Sequence, residues 1–106
     1  HDGKVSIQEV EPALPGPASP IPDSLMQTFE SVTHSLWPGV PVVPVMETGA
    51  TDGKYFRLDG IPTYGVSGLF GDVNDVRAHG RDERVGVESF YQSIDFYYRL
   101  IRALAG

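Results

Sequence analysis

The feature that most constrains the fold is a set of five apolar residues near the C-terminus, spaced alternately four and three residues apart. These residues are Phe90, Ile94, Tyr97, Ile101 and Leu104. The spacing places all five side chains on one side of an α-helix. Glu88 in the first turn, and Arg99 and Arg102 near the end, suit the helix dipole. The sequence therefore predicts an amphipathic helix over residues 87–105.

Length, composition and charge narrow the class of protein. The chain has 106 residues, 41% of them hydrophobic and 21% charged, as in a soluble domain or a piece of one. A domain of this length is expected to bury about 60–70% of its unfolded surface. The net charge of -6, without any basic run, argues against a nucleic-acid surface. The lack of cysteine excludes disulfides and thiolate metal sites, and no apolar run is long enough for a membrane span.

Proline dominates residues 11–22. The prolines of this segment are Pro12, Pro15, Pro17, Pro20 and Pro22. Because proline lacks an N–H donor and fixes φ, neither a helix nor a central strand is expected there. A semi-rigid connector between domains is one interpretation of this segment. A surface loop of a single domain is the other.

The other segments suggest strands and helices in alternation. Short strands are predicted at residues 4–10, 40–46 and 61–66. A helix is predicted from residue 23 or 24 to Trp37, with an apolar stripe at Leu25, Phe29, Val32 and Leu36. A short helix, capped by Thr51 or Asp52, is expected to run to about residue 58 and to end at Gly60. A loop rich in glycine and aspartate follows at residues 67–84, and the alternation favours an α/β fold with parallel strands.

The most informative polar residue is His79, which lies in the loop sequence AHGRDE. Imidazole is a common neutral ligand for zinc. Glu83 could orient the ring without binding the metal itself. An exposed loop histidine without a role is the alternative. Zinc needs three or four protein ligands, and no paired ligand motif is present in the sequence.

A second informative segment is the turn TGATDG at residues 48–53. Its backbone N–H groups precede a helix, where a carboxylate or phosphate could bind. A simple capped turn is the alternative interpretation. Asp52 fits a helix cap, a hydrogen-bond acceptor behind a metal site or a distant ligand, whereas Lys54 is misplaced for a phosphate-binding P-loop. Since both this turn and the His79 loop follow predicted strands, they are expected to meet at one edge of the sheet.

Taken in order, these motifs resemble a known family. TGATD, a basic and aromatic helix, GIPTYG, a histidine with a glutamate four residues on, and a helix containing VESF and FYYRLI are similar to the C-terminal end of the dinuclear zinc metallopeptidases. That family includes glutamate and Gly-X carboxypeptidases, acetylornithine deacetylase, succinyl-diaminopimelate desuccinylase and the aminoacylases. The resemblance extends from about residue 36 to residue 104 and is greatest with the carboxypeptidase and aminoacylase branch.

The resemblance implies a catalytic α/β domain interrupted by a smaller lid domain. Residues 1–10 would hold the last strand of the lid, residues 11–22 a proline-rich hinge, and residues 23–106 the C-terminal part of the catalytic domain. His79 matches the last ligand to one of two zinc ions, with cobalt or manganese as alternative ions. The implied substrate contacts are Gly49, Ala50, Thr51 and Lys54. Glu83 and Asp52 would support the site without touching the metal.

The resemblance also implies what these residues lack. No catalytic residue would lie in this chain, because the other metal ligands and the glutamate general base would lie upstream. In the intact enzyme two metal ions would polarise an amide carbonyl and lower the pKa of a bridging water. We therefore expect an inactive piece of a longer enzyme, whose partners are the rest of the catalytic domain and a small peptide or N-acyl amino acid, with a homo-oligomer also expected. The alternative is a non-catalytic α/β scaffold that self-associates through exposed strand edges.

Overall fold

The regular elements of the structure are three α-helices. The computed structural model describes residues 3–8, 10, 15–47 and 49–106, and the helices within them are α1 (Asp23–Leu36), α2 (Gly53–Leu58) and α3 (Val87–Ala105). All three match the helices predicted from the sequence. α1 ends before Pro38, and Gly39 follows at φ 81°, whereas α2 ends before Gly60 at φ 79°. Both glycines adopt the left-handed backbone that commonly ends a helix.

The predicted α/β fold is wrong, because no residue of the described ranges lies in a β-strand. Residues 5–8, 40–46 and 61–66 have no regular structure, and residue 9 of the first predicted strand lies outside the described residues. A strand exists only through hydrogen bonds to a neighbour, and Pro41, Pro44 and Pro62 each remove one donor. An apolar run in the sequence cannot reveal whether a neighbouring strand is present.

The proline-rich segment is anchored against residues 63–64. The Ser19 hydroxyl accepts a hydrogen bond from the Thr63 N–H and donates one to the Thr63 carbonyl, each at 2.9 Å. The Tyr64 hydroxyl donates to the Pro20 carbonyl. Residues 11–14 of the predicted hinge lie outside the described residues. The division into lid strand, hinge and catalytic part stays a prediction.

The core lies between α1 and α3. Its buried side chains are Phe29, Val32, Phe96 and Leu100. The predicted stripe of α1 is confirmed, since Leu25 and Leu36 also pack against this cluster. Trp37 extends the core toward the loop, with its ring centroid 4.7 Å from that of Phe70 and 5.7 Å from that of Phe96.

The side of α3 that faces the core is not the one marked by the strongest apolar periodicity. Phe90, Ile94, Tyr97, Ile101 and Leu104 are all between 39% and 62% exposed. The buried residues of α3 are Ser93, Phe96 and Leu100. Apolar residues lie around most of α3, so its sequence does not specify which side meets α1. That side is determined by packing. We call the five exposed positions the outer stripe.

The molecule is flat and exposes much of its surface. Its dimensions are 57 × 37 × 19 Å, and its radius of gyration is 17.9 Å, compared with about 13 Å for a compact domain of this length. The accessible surface is 9069 Å², whereas about 5,800 Å² is typical of this mass. The chain therefore buries only about 46% of its unfolded surface, and the expected burial is wrong. Among the described residues, no helix has the length and hydropathy that crossing a bilayer requires.

Candidate functional site

His79 occupies the centre of a tight turn with an unusual backbone. The Gly80 N–H donates to the Arg77 carbonyl at 2.9 Å and closes residues 77–80 into this turn. Within it His79 has φ 64°, and it is the one non-glycine residue of the described ranges with positive φ. For a residue with a Cβ this conformation costs about 1–2 kcal/mol. Such strain is found preferentially at functional sites, where the surroundings hold it in place.

Ion pairs brace the loop on both sides of His79. The Arg77 guanidinium donates to the carboxylates of Asp75 and Asp82. Arg84 Nη2 donates to the second oxygen of Asp75 at 2.5 Å. The hydrogen bonds from Arg77 and then Arg84 lower the pKa of Asp75 below its ordinary value, against a smaller opposing effect of desolvation. We call Asp75, Arg77, Asp82 and Arg84 the ion-pair clamp.

The His79 side chain is exposed, and its ring makes no hydrogen bond to any described residue. Glu83 donates its backbone N–H to the Gly80 carbonyl at 3.3 Å. Its carboxylate forms no hydrogen bond or ion pair within the described ranges, so its orienting role stays a prediction. No three histidine or acidic side chains of the described residues come together as a metal site. The described chain therefore supplies one candidate ligand and does not enclose a metal ion.

The predicted substrate turn lies in a second exposed segment. Gly49, Ala50 and Thr51 are exposed, and residue 48 lies outside the described residues. Asp52 is the N-cap residue of α2, as predicted, but its side chain makes no capping hydrogen bond. Lys54 is half-buried, with its Nζ 4.7 Å from the centroid of the Tyr55 ring. The substrate contacts of this segment stay predictions.

Close packing fixes the start of α2. A Cβ on Gly53 would lie 3.2 Å from both Thr51 Oγ1 and Thr63 Cγ2. On the other side, Gly16 approaches the Lys54 backbone, so the proline-rich segment also contacts this turn. No hydrogen bond or ion pair of the described residues joins the 49–54 segment to the His79 turn. The expected meeting at one edge of a sheet is wrong, because the described residues contain no strand.

Sequence reasoning missed the ion-pair clamp. The signal available was the density of charge around His79, where Asp75, Arg77, Asp82 and Arg84 alternate in sign over ten residues. His34, on α1, contacts the backbone that follows this helix. Its Nε2 lies 3.0 Å from the Val40 carbonyl, across the turn that ends α1.

Comparison with known proteins gives a consistent set of similarities. The profile of peptidase family M20/M25/M40 matches residues 4–103. A probable carboxypeptidase S-like 2 of Dictyostelium discoideum is 26% identical over 104 residues, which are 96% of this chain and 20% of that protein. The N-fatty-acyl-amino acid synthase/hydrolase of Xenopus tropicalis is 30% identical over 95% of this chain and 20% of its own length. Human aminoacylase-1 is 37% identical over 58% of this chain and 15% of its own. The chain spans a fifth or less of these relatives.

Proposed function

Because this chain belongs to peptidase family M20/M25/M40, we propose that it is part of a zinc-dependent hydrolase acting on the amide bond of a small peptide or an N-acyl amino acid. The names of three relatives support this substrate class, since they are a probable carboxypeptidase S-like protein, an aminoacylase and an N-fatty-acyl-amino acid synthase/hydrolase. Membership of the family supports a hydrolase. We propose zinc and a two-metal mechanism in addition.

In this proposal His79 donates one ligand to a metal site that other residues complete. The observation that carries it is the combination of a left-handed backbone and an exposed ring without a hydrogen-bond partner among the described residues. A metal binds an imidazole through one of its two ring nitrogens, and this ring is exposed. One such group cannot form a site of three or four ligands. The chain by itself is therefore expected to bind zinc weakly and to hydrolyse no amide substrate.

The partner proposed for this chain is the remaining part of a catalytic domain of the same family. The flat shape of the chain and the exposed outer stripe of α3 support it. A helix that is apolar on most of its surface is usually buried by neighbouring elements. A homo-oligomer is the alternative, and the net charge of -6 on each copy opposes it. The non-catalytic scaffold relied on exposed strand edges, and the described residues contain no strand.

Zinc titration tests the ligand assignment. Calorimetric titration of the purified chain should show weak binding that His79→Ala reduces further and His34→Gln leaves unchanged. His34 is a matched control because it is also an exposed histidine, and it lies on α1 rather than in the loop. Identical zinc binding by the parent and His79→Ala would remove the assignment. Turnover of an N-acyl amino acid by the chain alone would contradict the proposed division of the site.

A further inference from the structure

We infer that Arg77 is a positioning residue, which holds the turn that presents His79 by joining the carboxylates on its two sides. The inference rests on the proposed role of His79 as a ligand. In it, Arg77 acts through the conformation of the turn rather than as a metal ligand. The structural observation is the ion-pair clamp around a left-handed residue.

Arg77 restrains the turn through its backbone and its side chain together. Its carbonyl accepts the Gly80 N–H at 2.9 Å, which closes the turn. Its guanidinium reaches Asp75 on the N-terminal side and Asp82 on the C-terminal side. Asp82 also lies over the turn, because a Cβ on Gly80 would be 3.4 Å from Asp82 Oδ1. Opening the turn would therefore separate the two carboxylates and break the bridge.

The chemistry of arginine suits this role. Nε of Arg77 serves Asp75 and Nη1 serves Asp82, so two donors of one planar group point to two acceptors. Lysine carries a single compact charge on a flexible stem and cannot reproduce this fork. Arg84 holds the other oxygen of Asp75, so that the anchor on the N-terminal side is itself fixed. The least exposed members of the clamp are Arg77 and Asp75, with side chains 35% and 33% exposed.

NMR of the ¹⁵N-labelled chain at neutral pH tests the inference. The readouts are exchange of the Gly80 amide proton with water, the coupling between the amide and α protons of residue 79, and the zinc-induced shift of the His79 ring. Arg77→Gln should accelerate Gly80 exchange about two- to fivefold, the range expected for networked surface ion pairs, move the coupling and weaken the zinc shift. Asp82→Asn should act in the same direction.

Matched variants separate positioning from a general effect. Arg81→Gln removes an arginine from the same loop that makes no ion pair within the described residues, and it should leave all three readouts unchanged. Arg77→Lys should restore them only in part. The urea midpoint of the helical signal should stay at the parent value in Arg77→Gln. A fall of that midpoint in step with the exchange rate would show a structural role and overturn the inference.

Two further outcomes distinguish the role of Arg77 in the turn from the role of His79 as a metal ligand. Unchanged exchange and coupling in Arg77→Gln, or equal changes in Arg81→Gln, would overturn the positioning role even if His79→Ala abolished zinc binding. Faster exchange in Arg77→Gln, with zinc binding that does not depend on His79, would support the hold of Arg77 on the turn while removing the ligand role of His79.

Discussion

At the scale of the residue, Gly68 is the position where packing leaves no room for a side chain. A Cβ there would lie 2.9 Å from the Cβ and Cδ1 atoms of Phe96. Phe96 is 4% exposed and belongs to the core. Gly68 therefore lets the chain cross α3 closely at the point where the His79 loop begins.

Gly68→Ala should lower the free energy of unfolding by about 1–3 kcal/mol, because the added methyl group must displace the Phe96 ring or the loop. Gly71→Ala is the control, since no atom lies within 4 Å of its Cβ position. It should be neutral or slightly stabilising, through the lower entropy of the unfolded chain. Urea unfolding followed by circular dichroism measures both, and equal effects would contradict the packing argument.

The sequence identified His79 but not the conformation that distinguishes it. A histidine in a glycine- and aspartate-rich loop is visible as a candidate ligand. Its positive φ is not, because that backbone is expected of glycine or asparagine. The ion pairs of Arg77 with Asp75 and Asp82 could not be predicted either, since charges that alternate along a loop do not specify which of them pair. The supporting carboxylate assigned to Glu83 would need a side-chain contact to the ring, which the described residues do not show.

At the scale of the element, the helices were predictable and their surroundings were not. Proline and glycine mark where α1 and α2 end, and apolar spacing marks the length of α3. These signals are local. The outer stripe and the absent strands depend on which neighbours the chain meets. Apolar runs at residues 40–46 and 61–66 specify a tendency toward extended backbone but not a hydrogen-bonded partner.

Alanine substitutions at Leu100 and Ile101, which are adjacent in α3, test which side of the helix contributes more to stability. Leu100 is 3% exposed and Ile101 is 62% exposed. Leu100→Ala should lower the free energy of unfolding by about 2–5 kcal/mol, because it empties part of the core. Ile101→Ala should cost less than about 1 kcal/mol, since little apolar area is lost. Urea unfolding of the two variants provides the measurement. A larger effect at Ile101 would mean that the outer stripe is the packed side.

The Asp95–Arg99 pair makes the stability of α3 depend on pH. Arg99 Nη2 lies 2.8 Å from Asp95 Oδ2, and its hydrogen bond lowers the pKa of Asp95 below the ordinary value of 3.8. The carboxylate thus favours the folded state above that value, and the contribution is lost as pH falls through the lowered pKa. Asp95→Asn should be less stable than the parent at pH 7, and the difference should disappear once the pH is below the lowered pKa of Asp95. Arg99→Gln should show the same convergence in urea unfolding, and parallel pH profiles would contradict this linkage.

At the scale of the whole molecule, the chain has a small core and a large apolar exterior. Among the described residues, four side chains form the buried cluster, while the outer stripe, Val43 and Val45 remain accessible. This distribution agrees with a chain that spans a fifth of the relatives it matches. It also explains why the burial expected from the chain length is wrong. The length relation holds for compact monomers, and this chain is flat, with dimensions of 57 × 37 × 19 Å.

The denaturant dependence of unfolding should reveal this openness. The slope of the unfolding free energy against urea concentration scales with the surface that unfolding exposes. From the accessible surface of 9069 Å², the slope should be about 70% of that of a compact domain of equal length. Circular dichroism at low protein concentration measures it, with sedimentation velocity on the same samples as the control. A full slope that appears only at high concentration, together with sedimentation as a dimer, would mean that a second copy covers the outer stripe. A full slope in a monomer would contradict the flat fold.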